Sequence, residues 1–182
     1  MLTQQRAVFL DRDGVLNRAM VRNNLPYPPR DFNELEIISD VPEALQRLRT
    51  LGLLLLVVTN QPDVARGTQT REKVEEINKI LSDRLKLDAV YTCYHDTGDG
   101  CACRKPLPGM LRQGAEEWQL DLSQCFMIGD RSKDIEAGLA AGCTTLLVQS
   151  HYAEEEKVKP HYRINSLSQA ADMIEQIIKG EK

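Results

Sequence analysis

The sequence predicts an α/β fold in which helices cover both faces of a doubly wound, mainly parallel sheet. Two observations support this prediction. Short apolar segments with β-strand character alternate along the chain with longer amphipathic segments, as they do in proteins built from repeated strand–helix units. None of the apolar segments alternates apolar with polar residues, which is expected of strands whose two faces are both covered by helices.

Five apolar segments are predicted to form the strands of this sheet. They are residues 7–10, 53–59, 89–93, 125–129 and 144–148. In an open sheet of this class, ligands bind in the crevice at the carboxyl ends of the strands. The residues that follow each strand are therefore the first place to look for function.

The amphipathic segments predict five helices. The first has Pro42 in its opening turn and Gly52 as a stop signal. The second begins at Thr70, which is a favourable N-cap, and places its apolar residues on one face. The predicted helices are residues 41–52, 70–85, 108–118, 132–141 and 166–180. Segments 18–36 and 149–163 are predicted to be polar connections.

Length and composition restrict the class of protein. A chain of 182 residues is long enough for one well-packed domain, predicted to span residues 1–182. The net charge of −4 argues against nucleic-acid and membrane-surface binding, because both require clustered positive charge. The longest apolar run, residues 51–58, is too short to cross a bilayer, and the N-terminal sequence lacks a signal-peptide pattern. We therefore expect a cytoplasmic monomer that acts on a small molecule.

Chemically distinctive residues follow four of the predicted strands. They are Asp11 and Asp13 after the first, Thr59, Asn60 and Gln61 after the second, a Cys/His loop with Lys105 after the third, and Asp130 after the fourth. Asp-x-Asp-Gly alone is equally typical of a solvated turn. However, three strand-end carboxylates in one crevice would repel each other unless a cation lay among them. Oxygen ligands suit magnesium, so Asp11, Asp130 and a main-chain carbonyl near Asp13 are the predicted ligands. Asp134 is predicted to support the site or to cap a helix.

Four motifs at these strand ends resemble the signature motifs of the haloacid dehalogenase superfamily of phosphatases. They are DRDGVLN, TNQ, CRKP and GDRSKD, in that order, and the resemblance spans residues 7–148. It implies that Asp11 is a nucleophile that forms an aspartyl-phosphate, and that Asp13 donates a proton to the leaving oxygen and later accepts one from water. It also implies that Thr59 and Lys105 contact the phosphoryl oxygens, and that magnesium offsets the repulsion between Asp11 and the phosphate.

The Cys/His loop carries Cys93-x-His95 and Cys101-x-Cys103, with five residues between the pairs. A short loop rich in glycine and aspartate cannot fold by burying apolar surface, but it can fold around a metal. Three thiolates and one imidazole suit tetrahedral zinc, with no position left open for a substrate. We therefore predict a structural zinc site, which would also fix the basic pair that follows Cys103. Free thiols or a disulfide are the alternative.

The position of this loop directly before RKP narrows the resemblance to a small branch of the superfamily. That branch contains the heptose bisphosphate phosphatases and the histidinol-phosphate phosphatases, neither of which carries a large cap domain. The chain likewise has no insertion long enough to form one. The segment TNQPDVARG resembles the heptose enzymes, whereas the short spacer between His95 and Cys101 resembles the histidinol branch. The motifs alone leave both substrates open.

Positive charge favours a substrate with a second phosphate. Residues 14–30 contain three arginines and no acid, and further arginines follow three other strand ends. Arginine binds phosphate through charge-assisted contacts, whereas the amine and imidazole of histidinol phosphate would prefer acids. The residues assigned to substrate binding are Asn60, Gln61, Arg66, Arg104 and Arg131. The expected reaction is removal of the 7-phosphate from D-glycero-D-manno-heptose 1,7-bisphosphate.

A non-catalytic sensor of phosphorylated ligands is the alternative from a different functional class. Receiver domains also phosphorylate an aspartate on a similar sheet, but they need neither a proton donor two residues later nor a metal loop. An inactive relative would be expected to lack at least one of the four central groups, and all of them are present: Asp11, Asp13, Lys105 and Asp130. The sequence therefore favours an enzyme.

Overall fold

A six-stranded parallel sheet forms the centre of the computed structural model, which describes residues 5–150 and 157–180. The strands are β1 (Arg6–Leu10), β2 (Met20–Arg22), β3 (Leu25–Tyr27), β4 (Leu53–Asn60), β5 (Ala89–Cys93), β6 (Phe126–Gly129), β7 (Thr144–Val148) and β8 (Tyr162–Ile164). The sheet has the order β5-β4-β1-β6-β7-β8, and every neighbouring pair is parallel. Strands β2 and β3 form a separate antiparallel hairpin.

Helices pack on both faces of the sheet. They are α1 (Val41–Thr50), α2 (Arg71–Leu85), α3 (Gly109–Trp118), α4 (Ser132–Ala141) and α5 (Leu167–Lys179). On one face, Val8 and Leu10 of β1 lie in a buried apolar cluster with residues of α1, α2 and α5. On the other, Ala7 and Phe9 lie in a second cluster with residues of α3 and α4. Both faces of β1 are therefore buried, which explains why this strand shows no alternation of apolar and polar residues.

The predicted doubly wound sheet is confirmed, and each predicted strand and helix is found with its bounds shifted by at most two residues at either end. The prediction that segments 18–36 and 149–163 are connections is wrong for part of each segment, and residues 151–156 of the second lie outside the described residues. The first contains the β2–β3 hairpin, and the second ends in β8, a sixth strand that pairs with β7. Both were missed because strands of three residues are too short to show a periodic pattern.

A local signal for the hairpin was nevertheless present in the sequence. Asn23 and Asn24, between its two strands, have φ values of 50° and 60°. Asparagine tolerates this left-handed conformation better than most residues, and two-residue hairpin turns require it. The hairpin is the only strand pair between β1 and α1 among residues 11–40, so the described chain carries no large cap over the carboxyl end of the sheet. None of the described helices is long and apolar enough to cross a membrane.

Candidate active site and metal loop

A buried lysine connects two carboxylates at the carboxyl end of the sheet. The Lys105 Nζ lies 2.7 Å from an Asp11 oxygen and 2.6 Å from an Asp134 oxygen. It also donates a hydrogen bond of 2.8 Å to the backbone carbonyl of Val58, at the end of β4. Only 2% of the Lys105 side chain is exposed. The ammonium group is thus held at a fixed point beside the predicted nucleophile.

Asp11, Asp130 and Asp134, here called the acid cluster, could hold a metal ion. One oxygen of each lies within 4.8 Å of the others, and all three residues are buried. Both oxygens of Asp130 are buried, and neither has a hydrogen-bond partner among the described residues. Unpartnered buried carboxylate oxygens are costly unless a cation coordinates them. The acid cluster therefore fits a divalent cation, and it includes Asp134 in addition to the ligands expected from the sequence.

Burial and the neighbouring carboxylates disfavour the charged forms of Asp11 and Asp130. Burial, together with the neighbouring Asp134 carboxylate, raises the pKa of Asp11 to about 7, although Lys105 opposes the shift. Burial, with the charges of Asp11 and Asp134, also raises the pKa of Asp130 well above its ordinary value. Burial alone would lower the pKa of Lys105, but the same two carboxylates outweigh it and raise that pKa. A cation at the acid cluster would favour the ionised acids.

A glycine at the end of β6 makes room for Asp134. A methyl group at Gly129 would lie 2.1 Å from the Asp134 Cβ, so no larger residue fits unless one of them moves. Asp134 is in the first turn of α4, and one of its oxygens accepts a hydrogen bond of 3.1 Å from the backbone N–H of Arg131. Its other oxygen faces Lys105. Asp134 therefore caps the helix, as predicted, and also pairs with the buried Lys105, a contact that was not predicted from the sequence.

Asp13 accepts hydrogen bonds at both carboxylate oxygens. Arg12 Nε and Nη2 lie 3.2 and 3.0 Å from its two oxygens, which makes the contact bidentate. Asn17 Nδ2 donates to the first oxygen at 2.9 Å, and Gln61 Nε2 donates to the second at 2.8 Å. Asp13 also lines the cavity described below. Its orientation is consequently determined by protein contacts on two sides.

The residues of the TNQ motif support their neighbours in different ways. Thr59 lines the cavity, and its hydroxyl accepts a hydrogen bond of 2.9 Å from Gln61. Asn60 forms two hydrogen bonds with the backbone of Lys105, to the carbonyl at 3.0 Å and from the N–H at 3.1 Å. Gln61 is 1% exposed and donates to Asp13 and Thr59. The side chains of Asn60 and Gln61, which were assigned to the substrate, are thus engaged with protein groups that border the cavity.

A cavity of about 300 Å³ opens above these groups. The predicted catalytic residues Asp11, Asp13, Thr59 and Lys105 all line it, as does Asp134. The remaining lining residues are Leu25, Pro26, Tyr27, Pro28, Asn60, Pro62, Asp63, Arg66, Arg104, Arg131 and Lys133. Among these, the hairpin residues and Lys133 were missed from the sequence. Lys133 stands within the GDRSKD motif, and its position beside a strand end was the available signal.

The three arginines assigned to the substrate all line this cavity, and two of them share one acid. Arg66 contacts the two oxygens of Asp96 at 2.6 and 2.7 Å, which lowers the pKa of Asp96 to about 2. Arg104 lies 3.6 Å from the same carboxylate and donates to the backbone carbonyl of His95 at 2.9 Å. Asp96 therefore restrains the orientation of both Arg66 and Arg104 at the cavity.

The positive charge expected from residues 14–30 is largely balanced by ion pairs. Arg18 pairs with Glu36 at 2.6 Å, while Arg22 and Arg30 pair with Glu34 at 3.7 and 2.6 Å. The glutamates lie just after residues 14–30, so the composition of that segment alone overstates its positive charge. The positive charge that favours a phosphorylated substrate therefore comes from the arginines that line the cavity.

The metal loop, residues 93–103, brings its four predicted ligands together. The Cys93 sulfur lies 3.6 Å from His95 Nδ1, 3.8 Å from the Cys101 sulfur and 3.1 Å from the Cys103 sulfur, and all four ligand atoms lie within 4.8 Å of one another. Tetrahedral zinc with Zn–S bonds of about 2.3 Å separates its sulfurs by roughly 3.8 Å, so this arrangement fits a metal ion.

The other features of the loop agree with that fit. All of the cysteines are free thiols, so the structure contains no disulfide in place of the metal site. Burial, with a contact from Cys103, raises the pKa of Cys93 to about 12, and a thiolate at that position therefore requires a cation beside it. Cys125 and Cys143 are not members of this ligand cluster and lie in the apolar core, as expected.

Comparisons with known proteins agree with the motifs. A family profile described as HAD-hydrolase-like matches residues 102–170. A curated relative from Pasteurella multocida (strain Pm70), named D-glycero-beta-D-manno-heptose-1,7-bisphosphate 7-phosphatase, is 36% identical, and the match covers 98% of this chain and 99% of the relative. A relative of the same name from Helicobacter pylori (strain J99) is 38% identical, and the match covers 78% of this chain and 81% of the relative.

A solved structure is similar over nearly the whole chain. It is the crystal structure of D,D-heptose 1,7-bisphosphate phosphatase from B. bronchiseptica complexed with magnesium and phosphate. The two chains share 28% sequence identity with a TM-score of 0.78, and the match covers 95% of this chain and 99% of that one. The similarity therefore extends across both the sheet and the loops that border the cavity.

Proposed function

The chain belongs to the haloacid dehalogenase-like hydrolases and is a phosphatase, and on that premise we propose that it removes the 7-phosphate of D-glycero-D-manno-heptose 1,7-bisphosphate. The observation that carries the proposal is the arrangement of the cavity. The buried Asp11–Lys105 pair lines this cavity together with three arginines, Arg66, Arg104 and Arg131. The substrate is inferred from the names of the relatives, with which this charge distribution agrees.

In the first proposed step, an Asp11 oxygen attacks phosphorus. An oxygen–phosphorus bond forms to Asp11 while the bond to the sugar oxygen breaks, and Asp13 gives its proton to that leaving oxygen. Lys105 and Thr59 contact the non-bridging oxygens, where negative charge must be stabilised in the transition state. Asn60 contributes indirectly, because its two hydrogen bonds hold the backbone of Lys105.

In the second proposed step, water hydrolyses the aspartyl-phosphate. Asp13 takes a proton from the water as its oxygen bonds to phosphorus, and the bond to Asp11 breaks to release phosphate and restore both carboxyls. Gln61, given a substrate-binding role from the sequence, is proposed instead to position Asp13 and Thr59, to which it donates. The sum of the two steps is hydrolysis of one phosphate ester.

Two metal ions are part of the proposal. Asp11 and Asp130, with Asp134 and a main-chain carbonyl near Asp13, would hold magnesium, which supplies charge neutralisation between the nucleophile and the phosphate. The four ligands of the metal loop would hold zinc in a structural role. The unpartnered oxygens of Asp130 and the cluster of three sulfurs and one nitrogen support these two assignments.

The second phosphate of the substrate is proposed to bind the arginines that line the cavity. Arg66, Arg104 and Arg131 line it, and the first two are already oriented by Asp96. A charge-assisted hydrogen bond contributes about 1.5–3 kcal/mol. Losing one should reduce kcat/KM for a bisphosphate by about 10- to 100-fold, while a small ester without a second phosphate should be unaffected.

The test is a comparison of phosphate release from several esters by the metal-loaded protein. We expect kcat/KM for the heptose bisphosphate to exceed that for histidinol phosphate, and Asp11→Asn to abolish release from both. Arg66→Gln should impair only the bisphosphate, whereas Arg71→Gln, which alters an arginine outside the cavity lining, should impair neither. Faster turnover of histidinol phosphate would contradict the proposed substrate, and equal activity of the Asp11 variant would contradict the nucleophile.

A further inference from the structure

We propose that Arg12 and Asn78 form a positioning pair that sets the orientation of Asp13 for proton transfer. The inference rests on the proposed function, which gives Asp13 that role. Arg12 is the second residue of the DRDG motif, and it is only 1% exposed. Its guanidinium contacts both Asp13 oxygens, at 3.2 and 3.0 Å. A bidentate contact from a buried guanidinium fixes both the position and the plane of the carboxyl group.

Asn78 holds the opposite end of the same guanidinium. Its side-chain oxygen accepts a hydrogen bond of 2.9 Å from Arg12 Nη1. Asn78 is 4% exposed and lies on the buried face of α2 with Ile77 and Leu81. An amide on an apolar helix face is costly unless it is hydrogen-bonded. An apolar residue at this position could not replace Asn78, because the Nη1 group of the buried Arg12 would lose the side-chain oxygen that accepts its hydrogen bond.

A threonine on the sheet fixes the orientation of the asparagine. The Asn78 side-chain nitrogen donates a hydrogen bond of 3.0 Å to the Thr92 hydroxyl. Thr92 is on β5, paired in register with Thr59 on β4. The amide of Asn78 can thus satisfy both partners in only one orientation. A continuous chain of contacts runs from the sheet through Asn78 and Arg12 to Asp13.

The remaining contacts of Asp13 leave its orientation little freedom. Asn17 and Gln61 donate to the same two oxygens, so each oxygen accepts two hydrogen bonds. Of these donors only Arg12 is charged, and it contacts both oxygens at once. The other two are neutral amides that each make one contact. The pair formed by Arg12 and Asn78 is therefore the main determinant of where the Asp13 carboxyl points, although neither residue lines the cavity.

The chemical nature of the leaving group can show whether Arg12 and Asn78 position Asp13 for proton transfer or only stabilise the fold. An alkyl leaving oxygen needs a proton as its bond to phosphorus breaks, whereas the p-nitrophenolate of p-nitrophenyl phosphate is stable without one. A variant that misorients Asp13 should therefore lose activity on the alkyl ester and keep it on the aryl ester. The relevant constant is kcat/KM, because it reports formation of the aspartyl-phosphate and excludes the later attack by water.

The experiment compares Asn78→Leu with the parent protein on the heptose bisphosphate and on p-nitrophenyl phosphate. If the bisphosphate is not turned over, the alkyl phosphate with the highest kcat/KM replaces it. General acid catalysis contributes about 10²- to 10⁴-fold, and disturbed positioning removes part of this. We expect kcat/KM to fall about tenfold or more on the alkyl ester and to change little on the aryl ester. Arg12→Lys, which keeps the charge but loses the bidentate contact, should show the same selective loss.

Two further variants separate the possible outcomes. Asp13→Asn should show the largest selective loss, and the absence of selectivity in that variant would contradict the proposed role of Asp13 itself. Thr145→Val removes a buried hydroxyl that hydrogen-bonds His161, away from this network, so any effect should be equal on both esters. If Asp13→Asn is selective but Asn78→Leu and Arg12→Lys reduce both esters equally, or neither, the positioning pair is wrong. Should Asn78→Leu fail to fold, Arg12→Lys decides the question alone.

Discussion

One lysine determines much of the charge balance at the candidate active site. Lys105 contacts Asp11 and Asp134 through its ammonium group, while Asn60 holds its backbone. A fully buried cation needs partners of this kind, because desolvation alone would disfavour its charge. The arrangement depends in turn on Gly129, since only a residue without a side chain allows Asp134 to approach the end of β6 so closely.

Gly129→Ala tests this dependence at the level of one methyl group. The new Cβ would lie 2.1 Å from the Asp134 Cβ, so Asp134 must move, and Lys105 with it. We expect a loss of about 1–3 kcal/mol in the free energy of unfolding from overpacking. Because a displacement of about 1 Å at an active site can cost about 100-fold in rate, kcat/KM should fall by about that factor.

Gly138→Ala is the matched control for this variant. A methyl group at Gly138 would lie 2.7 Å from side-chain atoms of both Met127 and Thr145, so overpacking is again expected, but between α4 and the sheet. Stability should fall in both variants and activity only in Gly129→Ala, as measured by denaturant unfolding and steady-state kinetics. Unchanged kcat/KM in Gly129→Ala would show that the position of Asp134 does not matter for turnover.

At the scale of elements, the metal loop is the segment whose folding depends most on a bound metal ion. It joins β5 to α3 without regular structure between them, and Cys93 is the only fully buried member of the ligand set. The loop also supplies Asp96, which orients Arg66 and Arg104 at the cavity. A metal in this loop would therefore support both the stability of the protein and the position of the arginines that we propose bind the second phosphate.

Cys101→Ser should release the metal from this loop. We expect zinc content, measured by elemental analysis, to fall from about one ion per chain to near zero, because a tetrahedral site needs all four ligands. If the loss costs about 2–3 kcal/mol, Tm should fall by about 5–10 °C for a chain of this size. Cys143→Ala removes a buried thiol outside the loop and should keep its zinc. Full zinc content in Cys101→Ser would contradict the assigned ligand set.

At the scale of the whole molecule, the topology of the sheet concentrates negative charge at one edge. Strands β1 and β6 are neighbours although they are far apart in the sequence, and their carboxyl ends bring Asp11 and Asp130 together. Folding therefore brings buried acids close to one another, which destabilises the native state unless a cation is bound. A ligand that binds only the folded protein stabilises it according to its concentration relative to Kd.

Magnesium should consequently raise Tm in the parent protein but not in Asp130→Asn. At about 100 times Kd the stabilisation is about 2.7 kcal/mol, or about 5–10 °C. Without magnesium, the variant should be at least as stable as the parent, because it replaces a buried acid whose ionisation is disfavoured by burial and by the neighbouring Asp11 and Asp134 carboxylates. Magnesium should be removed by dialysis against buffer that contains no chelator, because a chelator would also remove zinc from the metal loop.

Asp83→Asn serves as the control, since Asp83 is exposed on α2 and pairs only with Lys79 among the described ion pairs. Its Tm should respond to magnesium as the parent does. Scanning calorimetry with and without the ion measures both effects. An equal response to magnesium in Asp130→Asn would exclude Asp130 as a ligand.

Much of the fold could be predicted because its strongest signals are local. The buried strands show as apolar runs, and helix α2 begins after the Thr70 cap, whose hydroxyl accepts a hydrogen bond from Lys73. The hairpin and β8 were not predicted because each of these strands has only three residues. Strands this short form by pairing with a neighbouring strand, and their own sequence shows no periodic pattern. The Asn23–Asn24 turn was the one local sign of the hairpin.

The sequence by itself determined the chemical groups and the order in which they follow the strands, because a motif lists its residues whatever their surroundings. Only the tertiary structure decided how those groups pair. Lys105 meets Asp11 across 94 positions of the chain, and Arg12 meets Asn78 across 66. The arginines of residues 14–30 turned out to face glutamates that follow them. Charges interact through space, and distance in space is set by the topology of the sheet rather than by position along the chain.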